Sequence, residues 1–262
     1  MKPATKKRFG QHFLVDPHVL RSIVSAAKLT AEDRVLEIGP GQGVLSQAIL
    51  ETGAKLKAVE IDRDLAKYLK TRFNGEERFE LIESDVLKLN FAEQFGSEPM
   101  KLVANLPYNV STPIFFALLK HRAQFESITI MVQKEVGDRL LHRGETKPLK
   151  DYGILSVASA LCFESRLVCH VGPKSFRPPP KVDSVVLQLI PKPALDVDEA
   201  QLISLVRWGF GQRRKLLLSR IRKERPEDFA QLSEAMLIEL GSKRPENLSP
   251  SDWLKLFESF TP

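Results

Sequence analysis

Short apolar runs alternate with helical patterns along most of this chain. Strands are predicted near 34–38, 56–60, 79–83, 101–105, 127–132, 165–171 and 182–190, with helices between the first five. Asp16-Pro17 reads as an N-cap followed by proline at the first helical position, opening a helix that runs to about Ala27. Strand and helix in alternation imply a parallel sheet covered on both faces. Gly172-Pro173 and the prolines at 178, 179 and 180 separate the last two strands, which suits an antiparallel excursion at one edge. Pro191-Lys192-Pro193 is the best linker, and beyond it the pattern is helical, with breaks at Arg225-Pro226 and over 241–250. The expectation is an α/β domain over residues 1–190 and a small all-helical C-terminal domain over 191–262.

Composition adds limits more than detail. With 262 residues, 43% hydrophobic and 27% charged, the chain can bury one large core and a small second one. No apolar run approaches a membrane span, and the basic N-terminus lacks the apolar centre of a signal peptide. Cys162 and Cys169 fit no metal or redox spacing and read as packing residues in a reducing cytosol. The five histidines form no ligand pair, so no metal is expected.

Charge changes the picture by its location. From Arg207 to Arg225 there are eight basic residues (Arg207, Arg213, Arg214, Lys215, Arg220, Arg222, Lys223, Arg225) against Glu224 alone. That window carries +7, whereas the whole chain carries +6. Residues 1–15 add four more basic residues and no acid, which leaves a mildly acidic body with two basic segments. A solvated helix face is the plain reading of such a run. The neighbouring Trp208 and Phe210 favour a polyanion grip, with Arg213, Arg214 and Lys215 as contact residues.

The most specific chemistry lies at strand ends. Val103-Ala104 runs into Asn105-Leu106-Pro107-Tyr108: an amide oxygen, a carbonyl whose direction Pro107 helps to set, and a flat ring. Two acceptors beside an aromatic face suit an exocyclic amine on a stacked base. Upstream, Glu37-Ile38-Gly39-Pro40-Gly41-Gln42-Gly43 follows an apolar strand. The dinucleotide fingerprint needs Gly or Ala where Val44 stands, so a pyrophosphate binder fits poorly. The Glu-x-Gly-x-Gly-x-Gly form instead resembles the S-adenosylmethionine loop of Rossmann-like methyltransferases. Glu60 ends the next strand, 17 positions after Gly43, where a carboxylate can grip ribose hydroxyls. Asp85 ends the third, placed to accept from an adenine amine. Each acid has an alternative reading as a helix N-cap or a turn residue. For Asp62 the cap is the preferred reading; for Glu60 and Asp85 the shared strand-end register favours a ligand.

These motifs are joined by Lys7-Arg8-Phe9-Gly10-Gln11-His12-Phe13-Leu14, Asn109-Val110-Ser111-Thr112-Pro113, Gln133-Lys134-Glu135-Val136, Lys150-Asp151-Tyr152-Gly153 and Phe176-Arg177-Pro178-Pro179-Pro180-Lys181-Val182-Asp183-Ser184. In this order, over roughly residues 7–190, the chain resembles the small-subunit ribosomal RNA adenine N6,N6-dimethyltransferases. Two departures stand out: many members carry Asn at His12, and Leu-Thr is common where Leu45-Ser46 occurs here.

The resemblance implies a class I methyltransferase fold with a seven-stranded, mostly parallel sheet. It also implies methyl transfer from S-adenosylmethionine to two adjacent adenosines near the 3′ end of 16S rRNA, two methyls to each. By resemblance His12, Leu14, Gly39, Gly41, Glu60, Asp85 and Asn105 line the cofactor site. Asn105, Leu106, Pro107 and Tyr108 form the catalytic turn, with Tyr108 stacking on the base and Phe176 expected on its other face. The implied partner is small-subunit rRNA or an immature small subunit, met by a cytoplasmic monomer. Other readings are a large-subunit rRNA dimethyltransferase, a DNA adenine methyltransferase, or an assembly factor that keeps the fold without turnover. Phe176 to Ser184 and the Leu106 variant of the turn favour the small subunit, and the intact motifs favour catalysis.

Overall fold

The computed structural model describes residues 12–144 and 149–260. The expectations for the basic N-terminal stretch and for residues 7–11 lie outside the described residues.

The strands are β1 (Phe13–Leu14), β2 (Arg34–Ile38), β3 (Lys55–Glu60), β4 (Phe79–Glu83), β5 (Met100–Asn105), β6 (Phe125–Gln133), β7 (Phe163–Val171), β8 (Phe176–Arg177) and β9 (Ser184–Pro191). Seven of them form one sheet in the order β4-β3-β2-β5-β6-β9-β7. The pairs β2–β3, β3–β4, β2–β5 and β5–β6 are parallel, and β9 enters antiparallel beside β6. The antiparallel excursion is therefore present, inserted one place in from the edge strand β7. Central strands are apolar along both faces: Leu36, Leu102, Val103, Ala104, Ile128 and Ile130 are wholly buried. A parallel sheet with helices on each side demands that, because neither face meets water.

The chain forms two compact units. The first holds the described residues up to Gly137 together with Ser165–Pro191. Its helices are α1 (Pro17–Ala27), α2 (Val44–Leu50), α3 (Arg63–Arg72), α4 (Phe91–Phe95) and α5 (Ser111–Lys120), and α6 (Lys134–Leu141) begins there. Asp16 caps α1 by accepting from His18 and Val19, with Pro17 at the first position. Ile23, Ile49 and Leu56 pack in one core cluster. Burying each aliphatic side chain contributes about 1.5–3 kcal/mol.

The second unit joins Asp138–Glu164 to the chain from Lys192 onward. The contiguous first domain expected from the sequence is corrected here: 138–164 packs with the C-terminal helices. The reason is an apolar set on and before α7 (Ile154–Cys162). Tyr152 and Val157 share a core with Leu205, Leu217 and Trp253, and the Tyr152 hydroxyl donates to the Leu248 carbonyl at 2.7 Å. The rest of this unit is helical as expected: α8 (Glu199–Phe210), α9 (Leu217–Glu224), α10 (Pro226–Gln231), α11 (Glu234–Leu240) and α12 (Pro250–Glu258). Among the described residues no helix is long and apolar enough to cross a membrane.

A two-residue pairing, β1 against β8, was not expected. Phe13 lies opposite Arg177 and Leu14 opposite Phe176, so the N-terminal segment is tied to a point more than half the chain away.

Candidate active site

Strand order reverses at β2, with β3 and β4 on one side and β5 on the other. A crevice opens beyond the carboxyl ends of such strands. Here it is a cavity of about 200 Å³, lined by the ends of β2, β3 and β5, the loop after β4, and residues 12–14. His12, Leu14, Gly39, Gly41, Glu60, Asp85, Asn105, Leu106, Pro107 and Tyr108 all line it, which gathers residues from position 12 to position 108.

The glycine loop supplies the floor. Gly41 has φ +60°, and a Cβ there would sit 3.0 Å from the Phe13 ring. Gly43 has φ +74°, and its Cβ would lie 2.8 Å from both Leu69 and Phe73. Side chains are excluded at both positions by conformation and by space. The Gly39 amide donates to the Val59 carbonyl at 2.9 Å, and the Gly41 amide to Glu60 Oε2 at 3.2 Å. The other Glu60 oxygen accepts from the Asp62 amide at 2.9 Å. Glu60 is thereby held rigid at the rim, and burial raises its pKa above the usual carboxylate range. Asp62 caps α3 by accepting from Asp64, the preferred reading of that residue. Asp85 combines two roles: one oxygen accepts from the Leu87 amide at 3.0 Å, while the residue lines the cleft.

Asn105 ends β5. Its Nδ2 donates to the His12 carbonyl at 3.4 Å, and its Oδ1 is buried without a hydrogen-bond partner. A buried unmet acceptor costs about 1–3 kcal/mol, so its persistence at a cavity marks a place where a donor belongs. Leu106 is buried and pinned by its amide to the Met131 carbonyl at 3.0 Å. The Pro107 ring lies 3.5 Å from where a Gly39 Cβ would be, bringing the turn against the glycine loop.

Tyr108 is held on several sides. The His12 ring stacks on it at 5.6 Å and 27°, and His12 Nδ1 lies 2.7 Å from the Pro178 carbonyl. Its hydroxyl meets Ser184 Oγ at 2.5 Å. Burial raises the phenol pKa, so the ring stays neutral. Phe176 differs from expectation. It is buried, touches Tyr108 edge-on at 6.4 Å and 75°, and does not line the cleft. The pairing of β8 with β1 turns it into the core, where it braces Tyr108 and presents no open face.

Two residues were missed as site members. Glu37 lines the cavity, is 1% exposed, and accepts from Ser46 Oγ at 2.6 Å. Burial pushes its pKa up to about 8, aided by the nearby Glu60 charge and opposed by the Ser46 bond. Its signal was visible as an acid inside an apolar strand. The Ser46 hydroxyl that partners it is the group a Thr would also supply. Ser184 ends the Phe176 to Ser184 motif, and its contact with Tyr108 spans 76 residues.

In the second unit the basic run divides. Arg213 pairs with Glu246 at 2.6 Å and donates to the Lys150 carbonyl at 2.7 Å. Arg220 is buried, pairs with Glu224 at 2.9 Å and lies 4.1 Å from the centre of the Trp208 ring. Arg225 pairs with Asp228. Arg214, Lys215, Arg222 and Lys223 are exposed.

Comparison with known proteins agrees with this geometry. The model of the family described as ribosomal RNA adenine dimethylase matches residues 3–261. The ribosomal RNA small subunit methyltransferase A of Thermosynechococcus vestitus is 44% identical, covering 97% of this chain and 96% of the relative. The protein of that name from Methylococcus capsulatus is 39% identical over the full length of both. Among solved structures, a dimethyladenosine transferase from Plasmodium falciparum is similar with a TM-score of 0.78 and 30% identity, covering 95% of this chain and 97% of the other. The 23S rRNA methyltransferase ErmE follows at 0.69 and 27%, over 95% and 100%. Matched by that family model over residues 3–261 and by curated relatives along nearly its whole length, this chain belongs to the ribosomal RNA adenine dimethylase family.

Proposed function

We propose that this chain transfers methyl groups from S-adenosylmethionine to N6 of two adjacent adenosines near the 3′ end of small-subunit rRNA, two to each base. The observation that carries this reading is Asn105 Oδ1, buried, unpartnered and at the rim of the cleft. The curated relatives at 38–44% identity bear the name of the small-subunit enzyme, which supports that substrate over the large subunit.

The cleft fits a nucleoside cofactor. Its walls are apolar at Leu14, Val59, Ile61 and Val86, and the acids Glu37, Glu60 and Asp85 also line it. Glu60 would accept ribose hydroxyls, Asp85 an adenine amine, and the side-chain-free backbone at Gly39 and Gly41 would admit the amino-acid tail. His12 and Leu14 would close the open side. When bound, the cofactor supplies an electrophilic methyl on a positively charged sulfur.

The protein's own part is to present the nucleophile. The adenine N6 lone pair is delocalised into the ring, so attack requires that nitrogen to move toward tetrahedral geometry. Asn105 Oδ1 and the Leu106 carbonyl would hold its hydrogens and stabilise the positive charge that develops. Tyr108 would stack on a base turned out of its helix. No strong general base is needed, because the N6 proton becomes acidic once the methyl is attached. We assign rRNA contact to the exposed cations of the second unit, Arg214 and Lys215 among them, with Arg213 placed by its ion pair.

The test incubates wild type and Asn105→Ala with S-adenosylmethionine and small ribosomal subunits lacking the modification, with large subunits in parallel. Dimethyladenosine at adjacent small-subunit positions is expected, falling about 10²–10³-fold in the variant. Product on large subunits alone would overturn the substrate; none on either, with cofactor bound, would leave a binding factor.

A further inference from the structure

Ser184 has no place in the chemistry above, yet it reaches the site from a distance. It is the first residue of β9 and lies opposite Gln133, the last residue of β6. The antiparallel insertion of β9 therefore delivers it to the carboxyl ends of the parallel strands. It is wholly buried, and its Oγ meets the Tyr108 hydroxyl. The two ring contacts on Tyr108, His12 stacked and Phe176 nearly perpendicular, restrain where the ring sits. The bond at the hydroxyl restrains how it tilts, because it acts at the far end of the side chain.

We propose that Ser184 is a positioning residue for the second methyl transfer, acting through the Tyr108 hydroxyl. The proposal rests on the reading of Asn105, Leu106 and Tyr108 as the groups that hold the base. In each transfer the N6 lone pair forms a bond to the methyl carbon, the carbon–sulfur pair stays on sulfur, and N6 releases one proton. Unmodified N6 has two hydrogens for two acceptors, so two hydrogen bonds fix the nitrogen in the first transfer. Monomethylated N6 has one. One acceptor then loses its partner, and the base is located by a single hydrogen bond and by the Tyr108 stack. Ring tilt consequently matters more to the second transfer than to the first.

The experiment follows monomethyl- and dimethyladenosine over time by mass spectrometry, on small subunits lacking the modification, for wild type, Ser184→Ala, Tyr108→Phe and the double variant. Binding of S-adenosylhomocysteine by calorimetry and thermal melting report separately on the fold. Loss of one buried hydrogen bond should lower the ratio of second- to first-transfer rate constants about five- to tenfold. Both single variants should show it, and the double variant should be no worse than either, because they remove the same bond. Should Ser184→Ala fail to fold, Tyr108→Phe decides alone. Equal slowing of both transfers, or an unchanged ratio in a folded variant, overturns the role given to Ser184. Wild type that makes no methylated adenosine overturns the underlying reading instead.

Discussion

Asn105 and His12 are joined across 93 residues by one hydrogen bond, from the Asn105 amide nitrogen to the His12 carbonyl. A carbonyl only accepts, so the group facing His12 must be the NH₂ and the oxygen must face the other way. That single contact aims Oδ1. It also ties the N-terminal segment that lines the cleft to the residue that would hold the substrate amine.

Asn105→Asp should therefore separate two functions of the side chain. A carboxylate keeps an acceptor but loses the donor to His12, and it would grip the cationic monomethylated amine before its proton leaves, which slows the second transfer. We expect monomethyladenosine to accumulate and S-adenosylhomocysteine to bind more weakly. A variant that completes dimethylation at the wild-type rate would count against this account.

Glu60 offers a second check, confined to the cofactor. Its two oxygens accept from Gly41 and Asp62, so Glu60→Ala removes the rim acceptors and frees the glycine loop. Calorimetry with S-adenosylhomocysteine should show a loss of about 10- to 100-fold in affinity, from roughly 1.5–3 kcal/mol of charged hydrogen bonding. RNA affinity should be unaffected.

Glu37 gives the chain a stability slope with pH. Its folded pKa of about 8 stands above the value of 4.5 for a solvent-exposed glutamate in the unfolded chain, so the folded state holds a proton that the unfolded state releases. The penalty is absent below about pH 4.5, grows as pH rises, and is complete above about pH 8. Glu37→Gln keeps an oxygen for Ser46 and has no proton to lose. Its melting temperature should exceed wild type at pH 8, and the gap should close by pH 4. A pH-independent gap would show that Glu37 does not hold this proton.

The interior of the sheet was legible in the sequence because strands buried on both faces leave largely apolar runs, as at 34–38 (β2); the edge strand β4 coincides with 79–83 although Glu80 and Glu83 are exposed there. The glycine loop and the Asn105 turn were legible because they bracket strand ends. What escaped was long-range. Nothing near Ser184 announces Tyr108, and two-residue strands such as β1 and β8 carry no periodicity. Residues 138–164 lie between strands of the first unit, and only three-dimensional packing assigns Tyr152 and Val157 to the second core. Charge counting found the basic run but could not tell a cation that binds from one that braces.

That last distinction is measurable. Arg220→Ala should lower the urea midpoint, because it removes a buried guanidinium from the Trp208 and Gly209 carbonyls, from the Trp208 face and from Glu224. Arg214→Ala with Lys215→Ala should leave the urea midpoint unchanged. The pair should weaken RNA binding and reduce the dependence of log affinity on log salt by about 1–2. The reverse pattern would exchange the two roles.

The pairing of β1 with β8 carries a consequence for how the enzyme comes into being. Leu14 is made early, but its partner Phe176 is added 162 residues later. A growing chain can lay down β2 to β6 and the glycine loop while the near wall of the cleft still has nothing to pair with. The pocket is thus completed only after translation has passed residue 177, so a nascent chain lacks a finished cleft until most of the protein has been synthesised.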